Sequence, residues 1–278
     1  MCKICFCDIH RYKSYLKTKE KAAATIEKYI RDATAFSKWL DGKAADKENL
    51  LEYKEEISKT LSPGSVNSII SSLNSLLEYL GSPLRLKTLK IQRRIFADKS
   101  RELTKVEYER LLRAARLSGN ERLYMLLQTI CATGIRVSEL RHITVESLQQ
   151  GRAEIQCKGK LRIILLPKEL CKWLKKYAVK KEIKKGPIFI TKTGNPLDRS
   201  NIWSDMKKLC KIAGVDRGKV FPHNLRHLFA RTFYSIKRDI VRLADILGHS
   251  SINTTRIYTM ESGEEHRRIL ERMNLLRC

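Results

Sequence analysis

The sequence predicts a mainly α-helical, α+β protein with two domains: an all-helical N-terminal domain, and a mostly helical second domain that contains a small antiparallel β-hairpin. Its 278 residues suffice for one large domain or two of ordinary size. Apolar residues recur at helical spacing along most of the chain, whereas β-rich runs are confined to residues 152–167. The hydrophobic fraction of 42% is high enough to form a real core.

Residues 1–85 are predicted to form the helical N-terminal domain. Its two longest amphipathic stretches each carry an apolar stripe on one side, and the second begins with a serine-proline pair and stops at a glycine. Two shorter helices complete the expected bundle. The four predicted helices cover residues 8–18, 24–40, 46–59 and 62–81.

Residues 86–103 are predicted to be a basic linker between the domains. The surrounding stretch 82–104 has five Lys and Arg residues before Ile95 and little periodicity. Within this stretch no helix is expected. Thr104 caps the helix that follows it, with Glu107 at the capping-box position. Such a segment is either an ordinary solvated loop or, because it is basic, a segment that lies against a phosphate backbone.

Residues 104–278 are predicted to form the second domain. Two β-rich runs within 152–167 flank a Lys-Gly-Lys turn and indicate a hairpin. A last amphipathic helix over 264–276 closes the chain. The other helices are expected near residues 105–116, 120–133, 168–182, 199–213, 222–236, 239–247 and 251–259.

The charge of the chain favours a polyanionic partner. Its 56 Lys and Arg residues outnumber 30 Asp and Glu, which gives a net charge of +26, and most of the excess follows residue 95. Duplex DNA or RNA is the commonest partner of such a surface, and an anionic membrane surface is the alternative. No apolar stretch approaches the roughly 20 residues that span a bilayer, and no signal-peptide core is present, so we expect a cytoplasmic protein without a membrane partner.

The eight cysteines give little support for a metal site. Cys2, Cys5 and Cys7 resemble half of a zinc site, but no second closely spaced pair completes four ligands. Reduced thiols in a reducing cytosol are the favoured interpretation. The sequence also lacks the GxxxxGK[ST] motif of P-loop ATPases. We therefore expect neither a metal nor a cofactor.

The run ATGIRVSEL, residues 132–140, contains an arginine that needs a partner. Arg136 lies among small and apolar residues, in what is expected to be the middle of a buried helical hairpin. A buried guanidinium requires either a protein carboxylate or an anionic ligand. Glu139 is the nearest carboxylate, and a phosphate is the alternative. Phosphate chemistry without a metal needs several fixed cations, and Lys158 and the run HNLRH, 223–227, are candidates for them.

These residues form a pattern that resembles the tyrosine recombinase, or phage integrase, family. The runs TGIRVSEL, HNLRH, LGHSS and TTRIY match that family in order, spacing and local sequence, and the resemblance covers the whole chain. One departure is Asn224, where the family more often has aspartate. The six matched positions are Arg136, Lys158, His223, Arg226, His249 and Tyr258.

The resemblance implies a role for each matched residue in cleaving a DNA phosphodiester. Arg136 and Arg226 would clamp the two non-bridging oxygens of the scissile phosphate, because a guanidinium offers donors in a planar fork. Tyr258 would attack phosphorus and form a 3′-phosphotyrosine. Lys158 would protonate the leaving 5′-oxygen. Because the covalent link keeps the energy of the phosphodiester, rejoining needs no ATP.

The resemblance also implies roles for the histidines and for one carboxylate. His223 would assist proton transfer at the tyrosine, and His249 would donate a hydrogen bond to the phosphate. Glu139 would orient the site from behind Arg136. His227 is interpreted as a packing or supporting residue.

Each of these residues has an ordinary structural alternative when it is considered alone. Arg136 and Glu139 can be a local salt bridge. The Lys-Gly-Lys turn can be a basic hairpin tip, in which Lys160 competes for the role of the acid. Tyr258 is one of ten tyrosines, most of which pack in cores or rims. His223 and His227, at i and i+4, also fit a zinc pair, although the second position lacks the glutamate of HExxH and Arg226 lies between them.

The expected function is therefore site-specific DNA recombination, with integration or excision of DNA. The resemblance implies that a homotetramer acts on double-stranded DNA with short inverted core repeats. It also implies that the tail helix, with Ile269, Leu270, Met273 and Leu276 on one side, docks in a neighbouring protomer, unless it packs on its own domain. A type IB topoisomerase, which uses a similar residue set, is the alternative activity. A DNA-binding architectural protein without activity is the alternative of another class.

Overall fold

The computed structural model describes residues 6–92, 98–157, 160–191, 193–260 and 263–273. The chain divides into two compact units, Met1–Arg93 and Arg94–Cys278. Both are mainly helical, and the second contains a two-stranded antiparallel sheet, which confirms the predicted fold class. Within the described part of the chain, no helix combines the length and the apolar character needed to cross a membrane.

The first unit is a bundle in which apolar helix faces enclose the core. Ser62 caps the last helix by accepting a hydrogen bond from the backbone N–H of Ser65, and a proline occupies its first turn. The core includes Phe36, Leu73 and Leu77, all of which are fully buried. The helices are α1 (Phe6–Thr18), α2 (Ala23–Leu40), α3 (Lys47–Thr60) and α4 (Pro63–Tyr79).

The start of the expected linker is hydrogen-bonded to α4, although Lys87 and Thr88 within it are exposed. The side chain of Asn74 donates to the Leu86 carbonyl at 2.9 Å and accepts from its N–H at 2.8 Å. Asn67 makes the same pair of bonds with Leu89, at 2.9 and 2.7 Å. Leu86 is buried in the core of the first unit. Two asparagines therefore replace the strand partner that this extended backbone lacks.

The first described helical element of the second unit is a 3₁₀ turn, Lys99–Arg101. The prediction that the stretch 82–104 contains no helix was therefore wrong by one 3₁₀ turn, whereas the capping box between Thr104 and Glu107 is confirmed. A short helix after Thr144, capped by that threonine, was not predicted. The α-helices are α5 (Lys105–Leu117), α6 (Glu121–Thr133), α7 (Val145–Gln150), α8 (Lys168–Lys180), α9 (Arg199–Ala213), α10 (Pro222–Lys237), α11 (Ile240–Leu247), α12 (Ile252–Thr255) and α13 (Gly263–Arg272).

The hairpin consists of β1 (Arg152–Cys157) and β2 (Lys160–Leu165), which pair antiparallel. Its register runs from Arg152 opposite Leu165 to Cys157 opposite Lys160. Ala153, Ile155 and Ile164 face inward and join the core of the second unit. Packing on this face attaches the hairpin to the helices that carry the candidate site.

Candidate active site

Arg136 lies at a helix boundary and not in the middle of a helical hairpin, so that prediction was wrong. Helix α6 ends at Gly134, which has the left-handed conformation. Arg136 then precedes the 3₁₀ helix Val137–His142 in extended conformation. The left-handed residue is a glycine for two reasons: its φ is +63°, and a Cβ there would lie 2.5 Å from the ring of Phe229. This reversal aims Arg136 back towards the rest of the site.

Glu139 holds Arg136 from two directions. The Arg136 Nη1 donates to Glu139 Oε1 at 2.9 Å, and the Arg136 backbone N–H donates to Oε2 at 3.0 Å. The Arg136 Nη2 donates to the Gly248 carbonyl at 3.1 Å. The side chain of Arg136 is still 39% exposed, so the guanidinium retains an open side for a ligand. Arg136 therefore forms the local salt bridge with Glu139 and also leaves part of its guanidinium accessible to an anion.

Arg162, on β2, is a member of this cluster that the sequence analysis missed. Its Nη1 pairs with Glu139 Oε2 at 2.5 Å, and its Nη2 donates to the Ile246 carbonyl at 3.0 Å. The available signal was the alternation of the strand, in which Arg162 occupies an inward position two residues before buried Ile164. An arginine at such a position needs a buried acceptor.

The electrostatics of this group are dominated by cations. Burial alone would raise the pKa of the Glu139 carboxyl, but hydrogen bonds from Arg136 and the charges of Arg162 and Arg136 lower it below its usual value. Burial also lowers the pKa of Arg162, against the attraction of Glu139. Glu139 therefore stays ionised between two guanidiniums.

Arg226 is the most deeply buried cation of the site, with 2% of its surface exposed. It lies on α10, where its Nη1 donates to the Gly134 carbonyl and its Nη2 donates to the Leu247 carbonyl at 2.7 Å. Burial and the neighbouring charges of Arg136 and Arg162 lower its pKa to about 10, and Tyr258 partly offsets this shift. The guanidinium nevertheless remains charged at neutral pH.

His249 and Tyr258 lie beside Arg226. Helix α11 ends at a left-handed glycine, and His249 follows with its Nε2 at 3.1 Å from Arg226 Nη2 and its Nδ1 at 2.9 Å from Thr255 Oγ1. The ring of Tyr258 stacks on that of His249, with centroids 6.0 Å apart. Burial, then Arg226 and Arg136, lower the pKa of His249 to about 4. His249 is therefore neutral at pH 7, with one nitrogen that donates and one that accepts.

Tyr258 lies at the end of a helical segment that changes from α to 3₁₀. The helix predicted over 251–259 consists of α12 followed by a 3₁₀ turn, Arg256–Tyr258. Tyr258 is 5% exposed and packs with Ala230, Leu243 and Leu247. Its packing alone would fit an ordinary core tyrosine. Its contact with Arg226 and its stacking on His249 set it apart, because they place the hydroxyl among the cations.

The two histidines of HNLRH lie on one face of α10. Their ring centroids are 4.5 Å apart, and the ring of His227 also meets that of Tyr258 edge to face at 4.7 Å. His223 is exposed, and its pKa is lowered by partial burial, Arg226 and Arg136. Burial and His223 lower the pKa of His227 to about 4. In the described ranges, no cluster of three His, Cys, Asp or Glu residues exists to which a metal could bind, so this pair lacks a third ligand there.

A cleft of about 370 Å³ opens beside the cations. Its lining includes Arg136, His223 and Arg226, together with Arg199 and Trp203 of α9. The cleft therefore offers three guanidiniums and a neutral imidazole to an anion. It is large enough for a phosphodiester group.

The structure thus brings together all of the predicted site residues that it describes. Arg136, Arg226, His249 and Tyr258 form the centre, with His223 at the cleft. Glu139 lies behind Arg136, and His227 packs against the tyrosine ring. Lys158 lies outside the described residues, as do Cys2 and Cys5 of the possible zinc half-site. Cys7, also of that half-site, is described and is exposed.

Comparisons with known proteins agree on one family. The phage integrase family model matches residues 101–265. Tyrosine recombinase XerD of Xanthomonas axonopodis pv. citri is 30% identical over 86% of this chain and 87% of its own length. The similar proteins of known function include recombinases, a resolvase and integrases, so the type IB topoisomerase alternative is not favoured.

Solved structures of the same fold extend over nearly the whole chain. The crystal structure of XerA recombinase is 25% identical and covers 97% of this chain and 99% of its own, with a TM-score of 0.53. A lambda integrase tetramer bound to a Holliday junction covers 90% of this chain and 76% of its own, with 18% identity and a TM-score of 0.71. The similarity therefore includes both units and not only the candidate site.

Proposed function

The chain belongs to the phage integrase family of tyrosine recombinases, which are site-specific DNA recombinases that cleave and rejoin strands, and we propose that Tyr258 is its nucleophile. The observation that carries this proposal is the meeting of Tyr258, Arg226 and His249 within one chain. Each protomer therefore contains the nucleophile and cations of a cleavage site. No second chain is needed to complete the described part of this arrangement.

The scissile phosphate binds at the cleft between Arg136 and Arg226. Arg136 and Arg162 pair with the carboxylate of Glu139, and Arg226 adds a third guanidinium, so these four described residues carry a net charge of +2. A phosphodiester supplies one negative charge, and the transition state of attack concentrates further charge on its oxygens. Fixed cations in a partly buried site stabilise that charge more strongly than water does.

The cleavage step is an attack by the Tyr258 hydroxyl oxygen on phosphorus. A bond forms between that oxygen and phosphorus, and the bond from phosphorus to the 5′-oxygen breaks. The phenolic proton passes to His223, which is neutral because burial and three arginines, Arg226, Arg136 and Arg199, lower its pKa. Lys158, which follows Cys157 in the sequence, donates a proton to the leaving 5′-oxygen. Reversal of these steps rejoins the strand.

His249 donates to a phosphate oxygen through its Nε2. In the structure that nitrogen faces Arg226, so the Nδ1 carries the proton and donates to Thr255. The Thr255 hydroxyl can donate as well as accept, and it is fully buried at this position. Thr255 therefore stabilises either tautomer, and His249 can switch to an Nε2 donor when phosphate displaces its contact with Arg226.

The larger assembly is a homotetramer on double-stranded DNA with short inverted core repeats. Residues 1–85 bind the core DNA, the basic segment 86–103 follows the backbone, and residues 104–278 form the catalytic domain. The exposed apolar side chains on α13 support exchange of the tail between protomers: Ile269 is 49% exposed, and Leu270 is 67% exposed. Leu276, also predicted to lie on this face, falls outside the described residues. The lambda integrase tetramer on a Holliday junction is a precedent for such an assembly.

Covalent trapping tests the assignment of the nucleophile. On suicide DNA substrates, wild-type protein should form a protein–DNA adduct, and Tyr258→Phe should bind the DNA but form none, since the ring remains and the nucleophile is lost. Tyr234→Phe is the matched control, because Tyr234 packs against the same small core as Tyr258. An adduct that persists in Tyr258→Phe would assign the nucleophile to another residue.

A further inference from the structure

The hairpin contributes a buried arginine that contacts three other parts of the site. Arg162 pairs with Glu139 after α6, donates to the carbonyl of Ile246 at the end of α11, and lies against Gly248. Its side chain is only 11% exposed. Its Nε has no hydrogen-bond partner among the described residues. Arg162 therefore has little surface for DNA, and its effect must reach the substrate through its neighbours.

The first neighbour is the carboxylate that holds Arg136. Among the described residues, Glu139 Oε1 accepts only from the Arg136 guanidinium, whereas Oε2 accepts from the Arg136 backbone and from Arg162. Without Arg162, Oε2 would keep a single neutral donor, and the buried carboxylate could turn towards Arg136 or towards water. The ion pair with Arg162 thus fixes the plane of the carboxylate, and the carboxylate fixes the guanidinium of Arg136.

The second neighbour is the turn that carries His249. A Cβ on Gly248 would lie 2.5 Å from the Cδ of Arg162 and 2.6 Å from its Nε, so the arginine stem lies directly on this glycine. The carbonyl of Gly248 accepts from Arg136 Nη2. The turn before His249 is therefore held between Arg162 and Arg136, two cations that share Glu139.

We propose that Arg162 is a positioning residue for DNA cleavage: by holding Glu139 and the turn at Gly248, it sets the orientation of both Arg136 and His249 towards the phosphate. This inference rests on the proposed function of the site. It also explains why an arginine occupies an inward strand position. A lysine at this position has a point charge and cannot bridge Glu139 and the Ile246 carbonyl with a planar fork.

Single-turnover cleavage of suicide DNA tests this inference with three variants. Arg162→Gln removes the charge, Arg162→Lys keeps it, and Arg152→Gln is the control, because Arg152 forms an exposed ion pair with Glu154 on the same hairpin. For each variant, the rate of adduct formation, the affinity for DNA and the melting temperature are measured.

In Arg162→Gln, adduct formation should slow by about 10- to 100-fold, the scale expected when reacting groups shift by an ångström or less. DNA affinity should stay near the wild-type value, because Arg162 does not contact DNA. Arg162→Lys should regain part of the rate, and Arg152→Gln should cleave normally. In a Glu139→Gln background, Arg162→Gln should slow cleavage by a smaller factor than in the wild-type background, because the route through the carboxylate is already lost and only the contact with the turn at Gly248 remains.

A wild-type rate in Arg162→Gln would overturn the inference. So would equal losses of rate and affinity, or full additivity with Glu139→Gln, since either result marks a general structural role. If Arg162→Gln does not fold, Arg162→Lys decides, and an unchanged rate in that variant overturns the inference. Failure of the wild-type protein to form any adduct would instead refute the proposed function, so the two failures are distinguishable.

Discussion

Replacing Gly134 with alanine should both destabilise the larger unit and slow cleavage. Gly134 has a φ of +63°, and a residue with a side chain costs about 1–2 kcal/mol in that conformation. Its Cβ would also lie 2.5 Å from Phe229 Cδ1, 2.7 Å from Phe229 Cε1 and 3.1 Å from Leu247 Cδ2. Forcing extra volume into a packed core adds about 1–3 kcal/mol. The expected loss in the free energy of unfolding is therefore roughly 2–5 kcal/mol.

Gly151 offers a matched control for this prediction. It also ends a helix in left-handed conformation, with φ of +70°, but its Cβ would meet no atom within 4 Å. Gly151→Ala should therefore lose only the conformational term, about 1–2 kcal/mol. At about 2–4 °C per kcal/mol for a domain of this size, Gly134→Ala should melt about 2–12 °C below Gly151→Ala.

Thermal melting of the two variants measures their stability. The rate of adduct formation is then measured at a temperature below both melting midpoints. The Gly134 carbonyl accepts from Arg226 Nη1, so displacement of this turn should slow cleavage in Gly134→Ala and not in Gly151→Ala. Equal melting temperatures would show that Phe229 moves aside at no cost. A normal cleavage rate in Gly134→Ala would show that the carbonyl does not position Arg226.

Three further predictions concern metal, salt and the tail. Adduct formation should proceed in excess EDTA at the untreated rate, because fixed arginines supply the charge, and recovery of lost activity by zinc or magnesium would contradict this. The affinity for target DNA should fall steeply with salt, by about 0.9 in the slope of log K against log[salt] for each neutralised phosphate, and a slope near zero would leave the +26 charge unexplained. Truncation after Met260 should preserve binding to a single site and abolish synapsis, because it removes the exposed apolar face of α13. Normal recombination by the truncated protein on a two-site plasmid would disprove tail exchange.

The sequence by itself determined the fold class, most helix positions and the chemical types of the site residues. The helices that begin after Ser62 and Thr104 are capped by hydrogen bonds between residues three positions apart. Such local pairs can be recognised in the sequence. The runs that contain Arg136, His223, Arg226, His249 and Tyr258, together with Lys158, indicated the family by resemblance, because their order, spacing and local sequence are all properties of the chain itself. Most of these expectations needed only local pattern and residue chemistry.

Only the tertiary structure decided how these side chains are held. Arg162 meets Glu139 across 23 residues, and Arg136 meets the Gly248 carbonyl across 112. Packing of the core brings together the C-terminal end of α6, the inward face of β2 and the turn after α11. Several of the contacts there are made by backbone carbonyl groups, which every residue has, so the sequence does not show which of them will accept a hydrogen bond. The helix expected over 251–259 likewise changes to a 3₁₀ turn at Arg256–Tyr258, and the tyrosine ring packs on residues of α10 and α11. The sequence thus specifies the chemical groups, and long-range packing specifies their orientation.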